Sequence, residues 1–218
     1  MAIKLFNYSG MDDKIIKRFL QLAKEFAGCW GDVVTKVTMG GERVGSEANE
    51  CTFVAKWYLY PEARTKNGKK LEGWIRTDKG RVEWRPCYLD SVDQIKIATY
   101  NFWVAVHEYT HVKDFQLRRE FKHGHYDKKG KYVKTRWKDR PHEQRAERRI
   151  ETCKFMMSRD KKMQKRFDDI IALVAPEFDK VNRKRYPSKF KRKGVETETR
   201  EKVLNRIRAA KERRHGTE

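Results

Sequence analysis

The stretch VAVHEYTHVKDF, residues 104–115, sets His107 and His111 four apart, with Glu108 beside the first. On a helix, residues four apart share a face, so both imidazoles can aim at one metal ion. Glu108 can then reach a water held on that ion. The spacing is HExxH, and it meets the needs of zinc-assisted hydrolysis. Two nitrogens bind, a third protein ligand comes from elsewhere, one position stays open for water, and a carboxylate takes the water's proton. The pattern is short, and two surface histidines on a helix would satisfy it too. Its surroundings favour the metal. The flanks are apolar (FWVAVHEYTHV), so the helix is expected to be mostly buried. Unpartnered histidines and a glutamate would be costly there. Five of the six histidines also lie between 107 and 142.

The elements that must position these residues can be read along the chain. Helical spacing of Ile15, Ile16, Phe19, Leu20, Leu22, Ala23 and Phe26 predicts a first helix, capped by Ser9 or Asp12 and stopped at Gly28. Residues 33–88 turn β-branched and aromatic: DVVTKVTM, CTFVAKWYLY, KLEGWIRTD and GRVEWRPCY, separated by Gly and Asn. This predicts a meander of three or four antiparallel strands, with TDKG as a hairpin turn. From Leu89 to about Phe121 runs a long helix, capped by Asp90 or Ser91 and carrying the motif in its second half. Residues 122–139 read as a loop with a hairpin. One helix then starts near Pro141, which suits a first turn, and another covers 161–178.

These elements imply an α+β fold, a small antiparallel or mixed sheet packed on the long motif helix and followed by a helical C-terminal part. We divide the chain into a domain at 1–180 and a tail at 181–218, where NRKRYPSKFKRKG is a basic linker and a charged helix follows with a thin stripe of Val203, Leu204 and Ile207.

The formal net charge is +21 over 218 residues, from 52 Lys+Arg against 31 Asp+Glu. Such a surface attracts polyanions, so nucleic acid is an expected partner. The four cysteines form no CxxC pair, which argues against a zinc ribbon. MAIKLFNYSGMDDK turns polar too soon for a secretory signal, and no apolar run approaches the ~20 residues that span a bilayer. A cytoplasmic protein with reduced thiols, acting without a membrane, is the expectation.

The motif resembles that of the zincin metallopeptidases. Within them, RPHEQRAERRIE is similar to the later helix of the gluzincins, where a glutamate is followed by a small residue and an acid. Glu143, Ala146 and Glu147 match those places. The resemblance covers roughly residues 70–160 and implies that His107, His111 and Glu143 bind one zinc ion, that Glu108 is the general base, and that Glu147 holds the Nδ1–H of His107. The chain lacks the long C-terminal helical domain of larger gluzincins and looks more like the compact forms of phage and mobile-element proteins. Apart from the resemblance, Glu143 and Glu147 are four apart on one helical face; a solvated face shared with Arg145, Arg148 and Arg149 is the competing reading.

Rival third ligands exist. His123 and His125, in KHGHYD, lie where Spartan/SprT-like proteases, which cut proteins crosslinked to DNA, take a third histidine; that similarity is weaker. His142 is another option, though it reads better as a residue of the helix start. The metzincin pattern is excluded, because Asp114 and Leu117 stand where it needs glycine and histidine. For the substrate, a protein or peptide, GRVEWRP (80–86) is the candidate edge strand. Tyr126, Tyr132, His125 and Arg140 are the candidate oxyanion stabilisers. The leading expectation is a zinc metallopeptidase. The alternatives are a SprT-like protease recruited to DNA, or a basic nucleic-acid-binding protein without activity, in which Tyr186 and Phe190 stack on bases.

Overall fold

A computed structural model of the chain describes residues 3–37, 52–55, 81–85, 93–117, 119, 121–185, 187, 197 and 199–215. It is α+β. Strand β1 (Ile3–Asn7) leads into α1 (Asp13–Ala27) and then β2 (Val33–Val37). β3 (Thr52–Ala55) and β4 (Arg81–Arg85) complete a four-stranded sheet in the order β1-β2-β4-β3. β1 pairs parallel with β2, from Ile3 opposite Val33 to Asn7 opposite Val37, and β2 pairs parallel with β4. β3 pairs antiparallel with β4.

The sheet differs from the predicted meander in two ways. First, β1, α1 and β2 form a crossover unit, and only a connection as long as a helix lets two neighbouring strands run parallel. Second, β4 is not an edge: it pairs with β2 on one side and β3 on the other, so the 80–86 strand is interior. The predicted strand KLEGWIRTD, the TDKG turn and the Asp90/Ser91 cap fall outside the described residues.

α1 has the ends its sequence sets. The Asp12 carboxylate accepts from the backbone N–H of Lys14 and Ile15, at 2.9 and 3.0 Å, and so satisfies two of the helix's unpaired donors. Gly28 closes it in the left-handed conformation, φ 70°, which costs glycine little. Its buried face, Ile16, Phe19, Leu20, Ala23 and Phe26, packs on α2 (Gln94–Gln116).

α2 is the axis of the molecule. It packs against α1, α3 (Pro141–Arg159) and α4 (Lys161–Arg185), and against β3 and β4 of the sheet. Ile97, Phe102, Ala105, Val106, Tyr109 and Val112 are all fully buried. Phe102 lies edge-on to Phe19, Phe26 and Phe167, with centroids 5.6, 5.3 and 5.0 Å away. The buried Tyr109 hydroxyl is hydrogen-bonded to Thr35 Oγ1 at 2.8 Å, which fixes α2 to β2. Asp93 caps the described start of α2 by accepting from Ile95 N–H.

After α2 comes a short hairpin, β5 (Gly124–Tyr126) and β6 (Tyr132–Lys134), then a single 3-10 turn at Trp137–Asp139. A side chain at Gly124 would collide with Val133 O and, at 2.6 Å, the Tyr132 ring. Pro141 opens α3 at its first turn. Asp160 separates α3 from α4 and caps α4 by accepting from Lys162 and Met163 N–H. α4 continues through Val181 to Arg185. α5 (Arg200–His215) lies on α4 with Val203 fully buried and Leu204 and Ile207 against the core, so the thin stripe is a packing face. Among the described residues, no helix is long and apolar enough to cross a membrane.

Candidate metal centre

Four helix positions build the site. His107 and His111 lie one turn apart on α2; Glu143 and Glu147 lie one turn apart on α3, which packs against it. His107 Nε2 is 3.0 Å from His111 Nε2 and 3.0 Å from Glu143 Oε2, and His111 Nε2 is 3.2 Å from the same oxygen. All three residues are buried. Among the described residues they are the only group of three or more His, Cys, Asp or Glu whose ligand atoms converge tightly enough to hold a metal.

With His107 neutral, protons of the chain do not satisfy every atom of this triangle. His107 Nδ1 is 3.1 Å from Glu147 Oε1, so the neutral ring puts its proton on Nδ1 and turns a lone pair inward. The inner atoms then share at most the one proton that His111 Nε2 can carry, with Glu143 as carboxylate. His111 Nδ1 is buried without a hydrogen-bond partner, so either tautomer of that ring leaves a polar atom unsatisfied. A cation accepts all three lone pairs at once. The set of two imidazole nitrogens and one carboxylate oxygen is that of a catalytic zinc, and the edges lie within a few tenths of an ångström of the ~3.3 Å expected for ligands about 2.0–2.1 Å from a tetrahedral ion. The residues fit zinc.

The electrostatics follow from burial and these contacts. Burial opposes ionisation of Glu143, but the hydrogen bonds with His107 and His111 hold its carboxyl well below the usual range. Burial would lower His107, yet the Glu143 hydrogen bond and the charges of Glu108, Glu143 and Glu147 raise it overall. His111 is lowered, mainly by burial. His142, nearly fully buried, has Nε2 3.3 Å from Glu143 Oε1 and is pushed down to about 4, chiefly by burial.

The other predicted residues take varied places. Glu108 is half-buried and close enough for its charge to act on His107. His123 and His125 are exposed and outside the cluster; the His123 ring touches His142, at 4.9 Å between centroids. Tyr126 and Tyr132 face solvent on the hairpin, with rings 5.4 Å apart. Arg140 donates from Nε to Thr135 O at 3.1 Å. Tyr186 and Phe190 lie outside the described residues.

Sequence reasoning missed three contributors. Trp137 stacks on His107, at 5.9 Å and 16° between planes. Phe121 sits against the rings of His111 and His142. Asp114, fully buried one turn beyond His111, binds Arg145 Nε at 2.7 Å and Arg119 Nη1 at 2.9 Å, locking α2 to α3 between the two glutamates. Asp114 could have been found: it follows His111 by three and so shares its face.

No family model, no curated protein and no solved structure matches this chain.

Proposed function

We propose that the chain is a zinc-dependent metallopeptidase, a hydrolase that cuts peptide bonds in a protein or peptide substrate. The observation that carries this reading is the convergence of His107 Nε2, His111 Nε2 and Glu143 Oε2, with Glu147 on the outer nitrogen of His107. These three side chains would hold the ion. Glu147 accepts from Nδ1–H and so keeps the Nε2 lone pair of His107 turned inward. His142 Nε2 lies 3.3 Å from the second oxygen of Glu143, which leaves Oε2 for the metal. Trp137 stacks over one face of the His107 ring.

A zinc ion held there would supply a lowered pKa for water, toward ~7, and polarisation of a carbonyl. Glu108 is the general base. It takes a proton from the attacking water onto its carboxylate and returns it to the departing amine nitrogen. An extended substrate would pair with β3, which among the described residues has only β4 as neighbour. A cytoplasmic setting suits Cys29 and Cys153, which are buried free thiols; burial pushes Cys29 up to about 12, where it is unreactive.

The test combines metal analysis with proteolysis of unfolded casein. Purified protein should carry one zinc per chain. Glu108→Gln should keep the zinc and lose roughly 10²–10⁴ in rate, the usual worth of a general base. A Glu108→Gln protein that still cleaves at the wild-type rate ends the mechanism, and a protein that takes up no zinc ends the class.

A further inference from the structure

A second polar feature lies at the same helix pair, apart from the metal ligands. A cavity of about 190 Å³ opens between α2, α3 and the end of α1, and its wall carries Lys113, Arg119, Arg145, Arg148 and Arg149. None of the described lining residues is acidic, and among the described residues the counter-charge nearby is small. Asp114 takes Arg119 and Arg145 on its two oxygens. The C-terminal end of α1 offers about half a negative charge, and Arg149 Nε donates there to Phe26 O at 2.6 Å. Lys113 Nζ and Arg149 Nη2 crowd the same spot above Gly28, 2.8 and 3.5 Å from where a Cβ would stand. Among the described residues, five cations against roughly one and a half negative charges leave a surplus of more than three, in a concave place where repulsion is screened less than on open surface.

We propose that this cavity is a binding site for a phosphate group. Guanidinium forks match tetrahedral oxyanions in geometry as well as charge. The ends of Arg145 and Arg149 are already anchored, to Asp114 and to Phe26 O, so little side-chain freedom is lost when an anion arrives. The cavity, about 190 Å³, is large enough to admit one phosphate group. Two sources share this chemistry. One is the backbone of a nucleic acid, drawn by the +21 chain, with the rest of the strand lying outside. The other is free phosphate. The site is independent of the zinc reading, because no proposed ligand lines it.

The experiment measures binding of a fluorescein-labelled 20-nucleotide DNA strand by anisotropy, and of inorganic phosphate by calorimetry and by competition. Arg148→Glu is the first variant, since Arg148 is exposed; Lys113→Gln is a milder second. Lys161→Glu, an exposed residue at the start of α4, controls for net charge. Both cavity variants should weaken DNA at least fivefold and reduce the salt slope by roughly one, as loss of a phosphate contact does. Inorganic phosphate should compete with the DNA. Loss of phosphate binding with DNA binding intact would keep the site and name a free anion as its ligand. Wild-type affinity of both variants for both probes would overturn the proposal. So would a Lys161→Glu protein that loses as much as they do, since diffuse surface charge would then explain the binding.

Discussion

Asp114 and Glu143 are both buried carboxylates between α2 and α3, but their neighbours differ in kind. Asp114 has a guanidinium on each oxygen. Glu143 has imidazole nitrogens: His107 and His111 at Oε2, His142 at Oε1. Arginine stays charged at any pH the fold survives, so Asp114 is neutralised from within the chain. Imidazoles near neutrality are mainly lone-pair donors, and His107 and His111 are placed with Glu143 Oε2 to share a cation brought from solution. One contact is finished when the chain folds. The other, on the proposed reading, is a receptor. This difference predicts which substitutions cost stability always, and which cost it only when metal is supplied.

The widest separation should come from zinc itself. At free zinc a thousandfold above its dissociation constant, binding to the native state adds about 4 kcal/mol of stability. Thermal melts with zinc and with a chelator should show that gap in the wild type and lose it in His111→Ala. A zinc-induced shift that survives in His111→Ala would place the metal elsewhere. Asp114→Ala should behave in the opposite way, melting earlier to the same extent with or without zinc. Removing one partner of a buried pair costs about 3–5 kcal/mol. The lower end applies, because Arg145 and Arg119 keep some access to water. If zinc repairs the Asp114→Ala protein, the two contacts are not separate.

Acid should divide them again. Asp114 faces arginines, whereas His142 is buried neutral with a pKa pushed down to about 4. Unfolded, its pKa returns to ~6.5. Between those values the unfolded chain binds a proton that the native chain lacks, so this residue's contribution is whole above ~6.5 and lost as pH falls to about 4. The loss is on the order of 2–3 kcal/mol. His107, raised in the fold, contributes with the opposite sign: its stability is present at low pH and fades as pH rises. Urea unfolding of metal-free protein at pH 7 and pH 4.5 separates them. His142→Gln should lose less stability on acidification than the wild type; an identical loss would clear His142 of the role.

What the sequence disclosed follows from how local each signal is. α1 was legible because its cap, Asp12, and its stop, Gly28, act within three residues of the positions they fix. The pairing of His107 with His111 follows from helical geometry alone. Glu143 needed more, since its approach depends on two helices packing; the resemblance to the gluzincin helix pointed to it. β1 was missed because five residues at the start carry little pattern and their partner lies thirty positions on. The interior place of β4 was misread for a similar reason, as strand order is a tertiary property that Pro86 alone does not report. Arg145 read as one of several solvated arginines, because only the rotation of α3 against α2 turns it toward Asp114.

The finest test concerns Glu147, which lies on the receptor side but is half exposed. Its Oε1 lies 3.1 Å from His107 Nδ1, close enough to favour a proton on that nitrogen and so to turn Nε2 inward. Outer partners of this kind are worth 10–100-fold in metal affinity. Solvent around Glu147 puts the expected effect near tenfold for Glu147→Ala, read by zinc competition with a calibrated chelator. Glu147→Gln keeps an accepting oxygen and should recover part of that loss, which a role in helix packing alone would not explain. Unchanged affinity in Glu147→Ala would mean that Trp137 and the helix already hold the His107 ring. The receptor would then be as self-sufficient in its orientation as Asp114 is in its charge.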